Sequence, residues 1–487
     1  MSYKVGIIGS GIAGIASSIR LASKGHKVEV FEASAHPGGK LSEIQVGNYR
    51  FDAGPSLFTL PELVDELFTL AGENPKKYFD YDQLEINCQY FFPDDTNLTA
   101  FADLDKFGIE IQQKLGESPQ SLTKAVKNSS LLYESLSDLF MFSSLQDLKT
   151  FFSKAAFKAY LKIPRLGFFN TMNGAHEKLF SDPRLVQLFN RYATYNGSSP
   201  YKTPATMNII PHLEMSLGAY FPKGGMYAIT KSLVELAKRK GVIFHFNTPV
   251  QQIIIEKGQA KGLEIGGRKF EFDRIVSNMD IVNSYKKLMP SVKAPEFLLK
   301  QPKSSSALIF YWGIKRKFKE LDVHNIFFSG DYQKEFAHLF DMHSIYHDPT
   351  VYVHISSKKE TDDAPEYGEN WFTMINVPNN TGQNWDQLIE EAKKNTIQKL
   401  TKQLNQPIAD LIECEEILDP RSIESKTSSA LGALYGNSSN NLFAAFLRHA
   451  NKSRRIKGLY FCGGSVHPGG GIPMSLSSAK IVDKYFN

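Results

Sequence analysis

The chain has 487 residues, enough for about three domain-sized units around a large core. Lys plus Arg number 56 against 51 Asp plus Glu, and the resulting charge of +5 is too small and too dispersed for a nucleic-acid-binding surface. Cys88, Cys414 and Cys462 are too scattered for a disulfide framework or a zinc site, and no apolar run is long enough to span a bilayer. A reducing, cytoplasmic setting is therefore expected, and a first strand that starts almost at Met1 leaves no room for a signal peptide.

The run KVGIIGSGIAGIASSIRLASKGHKVEVFEA, residues 4–33, reads as strand, glycine turn, helix and strand. Gly9, Gly11 and Gly14 have the G-x-G-x-x-G spacing, which permits a tight turn, close approach of backbone to a pyrophosphate, and close packing of helix on strand. The helix start at Ile12 and Ala13 turns unpaired N–H groups and a positive dipole end toward phosphates. Glu32, 18 residues after Gly14 at the tip of the second strand and followed by Ala33, is placed to accept hydrogen bonds from a ribose. Its charge disfavours a 2′-phosphorylated cofactor, so the unit is expected to bind FAD or NAD.

Gly38, Gly39 and Lys40 follow, then Phe51-Asp52-Ala53-Gly54-Pro55-Ser56. Paired glycines let backbone approach a ligand, and Lys40 can meet a phosphate. Residues from about 62 to 220 read as mostly helical. Within them, Leu139 to Phe169 carries Leu145, Leu148, Phe152, Ala155, Ala156 and Ile163 near helical period, with Lys154, Lys158 and Lys162 four apart on another face. Such a basic amphipathic helix either lies in a membrane interface or covers a core with a solvated lysine face. From Phe221 the α/β theme returns as a glycine turn, a helix to Lys240, two strands meeting at Thr248-Pro249-Val250, a hairpin, and a strand ending before Asn278-Met279-Asp280. Residues 300–415 carry strand-like runs and a helix near Trp385 to Leu404, which suggests a second sheet walling a substrate chamber. His338, His343 and His347 have no matching acid ligand, and no metal is expected. The stretch GLYFCGGSVHPGGGIPMSLSSAKI, residues 458–481, reads as a strand, a glycine-rich turn and a final helix starting at Gly471-Ile472-Pro473. A helix start beside an isoalloxazine ring would stabilise the negative charge that reduction places there. With one dinucleotide unit and one such helix, a single FAD is indicated.

Taken together, GSGIAG, Pro37-Gly38-Gly39-Lys40, FDAGPS, RYATYNGSSPYKTPA, FPKGGM, SNMD, YHDPTVYVH and FCGGSVHPGGGIP resemble the FAD-dependent phytoene and carotenoid desaturases along nearly the whole chain. RYATYNGSSPY and LGALYG are closest to enzymes that desaturate C3–C4 of 1-hydroxylated carotenoids. The resemblance implies an α/β fold with a Rossmann-like FAD-binding domain of the amine oxidase and carotenoid desaturase type, discontinuous over 1–75, 221–285 and 416–487. It also implies a helical substrate- and membrane-contacting region over 76–220 and a substrate-domain sheet over 286–415. The implied cofactor contacts are Gly39, Lys40, Gly54, Pro55 and Ser56, the backbone of Val250 against adenine, Asn278, Gly464 and Ser465, and Gly471 to Pro473. Many flavoproteins of this fold carry Gly-Asp near the ribityl chain; here Gly464-Ser465 stands in that place. The implied reaction sends a hydride from an allylic carbon to flavin N5 and the neighbouring proton to a weak base or water. His467 and Asp52, the titratable residues nearest the flavin-lining motifs, are the candidates for direct proton transfer, with structural hydrogen bonding as the default reading of each. A carotenoid substrate, peripheral contact with the cytoplasmic membrane, and oxygen or a quinone as electron acceptor are the implied partners. A phytoene desaturase, a flavin amine oxidase and a prenyl-lipid escort protein are the competing readings.

Overall fold

The computed structural model describes residues 1–153, 156–157 and 170–486. Among the described residues the chain builds two main sheets. The first is parallel and five-stranded, in the order Leu459–Phe461, Arg274–Ser277, Lys4–Ile8, Lys27–Phe31, Ile243–His245. Val5, Ile7, Val28 and Val30 are fully or almost fully buried, as expected for strands covered on both faces. The helices Ile12–Ser23, Tyr227–Arg239 and Ile472–Asp483 pack on one face, so three distant parts of the chain share one core. The antiparallel ribbon Gln252–Glu256, Gln259–Ile265, Arg268–Glu271 closes the other face through Ile8, Phe31, Leu263 and Phe272.

The second sheet has seven strands, in the order Ile412–Leu418, Ser306–Ile314, Glu369–Val377, Val351–His354, His324–Phe327, Ile86–Phe91, Asn97–Phe101. Strand period 2 divides Ser306–Ile314, second from one edge, between two surroundings. Leu308, Phe310, Trp312 and Ile314 pack toward the helix Trp385–Leu404, and Ala307, Ile309 and Tyr311 turn to the opposite side with Phe51 and Phe372.

Two expectations change. The stretch 76–220 is not purely helical, because Ile86–Phe91 and Asn97–Phe101 extend the second sheet, and Ile412–Leu418 crosses the expected boundary at 416. Ile86–Phe91 pairs in parallel with His324–Phe327. That partner lies far along the chain, so local propensity carries no trace of the pairing. Nor is 139–169 one amphipathic helix. The long helix Pro119–Phe140 stops at Met141, Ser143 Oγ donates to Asp138 O, and a separate short helix Leu148–Phe151 follows. Serine hydroxyls that bind nearby carbonyls compete with helix continuation. Leu145 and Ala156 are buried against Leu132 and Leu136, while Phe152 and Phe157 face outward at 90% and 65% exposure. Lys154, Ala155, Lys158, Lys162 and Ile163 lie outside the described residues.

Candidate active site

Between the two sheets runs one cavity of about 1760 Å³. Its first end is the dinucleotide cradle. Gly9, Gly11, Ile12 and Ala13 line it, and Gly14 lies just behind, inside the helix. The place of a Cβ on Gly14 is 2.2 Å from Gly9 O, so only glycine lets this helix press onto the turn. The first-turn N–H groups lack intrahelical acceptors and give the cradle its positive end. Glu32 and Ala33 sit at the tip of the second strand, opposite Val250 and Pro249. One carboxylate oxygen of Glu32 accepts from Ser10 N and Oγ at 2.7 and 2.8 Å, and the other from Ser34 N and Oγ at 2.9 and 3.0 Å. The carboxylate is thus fixed as an acceptor at the cleft edge, suited to ribose hydroxyls and repellent to a phosphate.

Gly39, Gly54, Pro55 and Ser56 form the next stretch of wall. A Cβ on Gly54 would stand 1.7 Å from Lys40 O, so the two glycine segments touch backbone to backbone. Lys40 also lines the cavity. Its ammonium donates to Ala433 O and Leu434 O at 3.0 and 2.8 Å, and ties the cradle to the C-terminal loop. Burial lowers its pKa to about 8, against the upward pull of Asp280. Asp52 is removed from the chemistry. It is buried outside the cavity wall, paired with Arg50 at 2.7 Å, and accepts from Met226 N and Tyr227 N at 2.8 and 3.0 Å. It caps the start of the helix Tyr227–Arg239, a structural role.

The C-terminal motif completes the cradle. Asn278 Nδ2 donates to Cys462 O, its side chain lies against Gly11 and Gly463, and Ser465 Oγ accepts from Ile281 N at 2.9 Å. Gly464 and Ser465 line the cavity, and the hydrogen of the Ser465 hydroxyl is left to donate where other flavoproteins place an aspartate. Gly471, Ile472 and Pro473 start the final helix at the cavity wall, with Gly471 at φ +97°. His467 is buried, and its Nε2 donates to Ser143 O at 2.7 Å, which fixes the neutral tautomer. Burial lowers its pKa to about 4. It is a neutral strut between the glycine loop and the residues after the long helix.

Sequence reasoning missed several cavity residues. Arg448 is 5% exposed and donates once, from Nη2 to Asn437 O at 3.0 Å. Its Nη1 has no partner, and among the described residues no carboxylate pairs with it. Burial lowers its pKa to about 10, still a cation at neutral pH. Tyr311, Tyr352, Phe372 and Met374 present the cavity face of the second sheet. Tyr311 OH donates to Ala53 O at 2.8 Å, and Ser56 Oγ and Tyr352 OH lie 2.7 Å apart. Alternation within TVYVHISS marks Tyr352 as facing opposite to Val351 and Val353, and this was the available signal. Arg191 has none until the fold is known. It is buried beside Glu214 at 3.3 Å, donates to Tyr90 OH and Tyr195 OH at 2.7 Å each, and lines the cavity.

FAD fits this lining. The glycine turns leave room that any Cβ would fill, two helix starts face the cleft, and a buried cation without a carboxylate partner awaits an anionic group. Residues 12–482 match the family model of flavin-containing amine oxidoreductases. A 1-hydroxycarotenoid 3,4-desaturase of Flavobacterium sp. (strain P99-3) is 50% identical, over 98% of this chain and 97% of its own. A zeta-carotene-forming phytoene desaturase of Myxococcus xanthus is 28% identical over 98% and 93%. Among solved structures, cyclohexylamine oxidase from Brevibacterium oxydans IH-35A has the same fold, with a TM-score of 0.62, 13% identity, and 100% and 98% of the chains covered. The chain therefore belongs to the flavin-containing amine oxidoreductases, in their carotenoid-desaturase branch, as an FAD-dependent oxidoreductase acting on CH–CH bonds.

Proposed function

We propose that the protein introduces the C3–C4 double bond into a 1-hydroxylated carotenoid such as 1′-hydroxy-γ-carotene. The observation that carries this reading is the single cavity, which joins the cofactor cradle to an apolar chamber floored by Ala307, Ile309, Phe372 and Met374. The 50% identity to a 1-hydroxycarotenoid 3,4-desaturase, and the RYATYNGSSPY and LGALYG segments, favour a hydroxylated end group over phytoene.

FAD, when bound, supplies the hydride acceptor. The protein's own contribution is mainly placement. The sheet face and the residues around Leu213 and Ile210 hold a polyene flat and keep water away from the bond being oxidised. The N-terminus of the helix Ile472–Asp483 and the Arg448 guanidinium set a positive potential at the cofactor end. A carbon next to a polyene-stabilised cation is strongly acidic, so its proton needs only a weak acceptor. That explains why Asp52 and His467 are free to serve as struts.

The same proposal places the protein peripherally on the cytoplasmic face of a membrane, with oxygen or a quinone accepting the electrons. Phe152, Phe157 and Phe443 are exposed at 90%, 65% and 63%, and Phe446, in the same segment as Phe443, lines the cavity and packs edge-on against Phe140 at 5.6 Å. Greasy side chains beside an apolar cavity suit uptake of a lipid-dissolved substrate. The test is anaerobic incubation of FAD-loaded protein with 1′-hydroxy-γ-carotene, phytoene or a primary amine, followed by quinone or air. Bleaching of the flavin by the hydroxylated carotene, with a product of longer conjugation, is expected. Oxidation of the amine or of phytoene alone would overturn the reading.

A further inference from the structure

His324 opens the strand His324–Phe327 on the cavity wall and is only 3% exposed. Its Nδ1 lies 2.7 Å from Tyr352 OH, whose oxygen lies 2.7 Å from Ser56 Oγ. Its Nε2 has no partner. The three polar groups therefore form a chain that starts in the cofactor-lining segment and ends on an unsatisfied nitrogen. Two further buried atoms without partners, Asn87 Oδ1 and Arg191 Nε, belong to the same wall. Parallel pairing of Asn325 with Gln89 brings the strand that carries His324 alongside the one that carries Asn87. Buried polar atoms without partners are uncommon because each gives up its hydration for nothing. Three of them on one wall of a largely apolar cavity call for a polar group on the ligand.

We propose that the Ser56–Tyr352–His324 chain binds the C1 hydroxyl of the carotenoid end group, with Arg191 and Asn87 polarising that corner. This rests on the hydroxylated-substrate reading. The location follows from the substrate's chemistry. Only the C1–C2 and C2–C3 bonds separate the hydroxyl-bearing carbon from the bond to be oxidised. The hydroxyl must then lie beside the cofactor segment, and Ser56 roots the chain there. A hydroxyl also suits the free nitrogen in either proton arrangement. If Tyr352 donates to Nδ1, Nε2 carries a hydrogen and donates to the ligand oxygen; if the chain runs the other way, Nε2 accepts. Burial, His354 and Arg191 all hold His324 neutral, so both arrangements stay within reach. An all-hydrocarbon end group would leave these atoms unsatisfied and bind more weakly.

The experiment compares equilibrium binding of 1′-hydroxy-γ-carotene and γ-carotene to FAD-loaded protein, with the flavin kept reduced so that no turnover occurs. The parent protein is expected to prefer the hydroxylated ligand by about tenfold or more. His324→Leu and Tyr352→Phe, each compared in FAD-loaded form, are expected to bring that ratio close to one through loss of affinity for the hydroxylated ligand, while affinity for γ-carotene holds. His324→Gln, which keeps a polar partner, is expected to retain part of the preference. A parent preference that survives in both variants would overturn this assignment alone. No preference in the parent would overturn the hydroxylated-substrate reading itself. Tyr352→Phe removes a single oxygen and keeps the test open should His324→Leu fail to fold.

Discussion

Gly14→Ala sets two forces of known sign against each other. The residue lies inside the helix Ile12–Ser23, where alanine is intrinsically better than glycine by about 1 kcal/mol. Propensity alone therefore says the change stabilises. Against it, the new Cβ falls 2.2 Å from Gly9 O and 3.1 Å from Asn278 Oδ1, and the first of these is backbone that cannot swing aside. The helix must move off the turn by roughly an ångström, at the about 1–3 kcal/mol typical of overpacking. The two effects nearly cancel in the apoprotein. They do not cancel in cofactor binding, because the N–H groups of the first turn lose their alignment; a loss of about 1–3 kcal/mol there is about 5–150-fold in affinity. Flavin-fluorescence titration measures the affinity and thermal unfolding of the apoprotein measures the rest. Gly108→Ala is the control: it is also helical, its Cβ would meet Pro119 Cβ at 3.1 Å, and FAD affinity should not change. A Gly14→Ala protein that binds FAD as tightly as its parent would refute the reasoning.

Acid should destabilise the fold in a defined window. Burial lowers His176, His354, His449 and His467 from 6.5 to about 4, so below pH 6.5 the unfolded chain binds protons that the folded one refuses, and stability falls as pH drops toward 4. Each contributes a slope of up to about 1.4 kcal/mol per pH unit there, and denaturant titrations at pH 7.5 and 5 with equal midpoints would contradict this. Glu214→Ala leaves Arg191 buried without its counter-charge and should cost about 3–5 kcal/mol, read as a drop in thermal midpoint, whereas Tyr367→Phe at the exposed Glu413 should cost little. Replacing Phe152 and Phe157 together by Ser should weaken binding to liposomes without altering FAD content; unchanged liposome binding would remove those rings from the proposed membrane face.

Much of the cofactor cradle could be read directly from the chain because its function depends on backbone. Gly9, Gly11 and Gly14 keep side chains out, and their spacing is enough to reveal that, whereas Gly54 and Gly471 are implied by the resemblance to carotenoid desaturases. Side chains with several possible partners were harder to place. Lys40 reads as a phosphate ligand, and the sequence hides that its ammonium also donates to two carbonyls from a loop almost four hundred residues away, at Ala433 and Leu434. Asp52 reads by default as a structural hydrogen-bonding residue next to the flavin segment, but its partners, Arg50 and two helix N–H groups, are set only by the fold. Of the strands at 86–101, Asn97–Phe101 pairs locally with Ile86–Phe91, and what joins this hairpin to the second sheet is the distant strand that begins at His324. A residue whose role is decided by a distant partner carries little local trace of it.

These long-range contacts also explain how cofactor and chamber are coupled. Tyr311 to Ala53 and Tyr352 to Ser56 cross the seam between the parallel sheet's domain and the second sheet, and Lys40 to the 433–434 carbonyls ties the same segment to the C-terminal loop. Each has one end in the 40–56 segment that lines the cradle. Anything that steadies that segment therefore steadies the chamber wall as well, and the reverse holds by linkage. The substrate face of Tyr311 and Tyr352 is thus set from the same backbone that receives the cofactor. Alignment of a polyene against the cofactor then needs no acid–base pair at the reacting carbon, only a wall and a cradle held in common register.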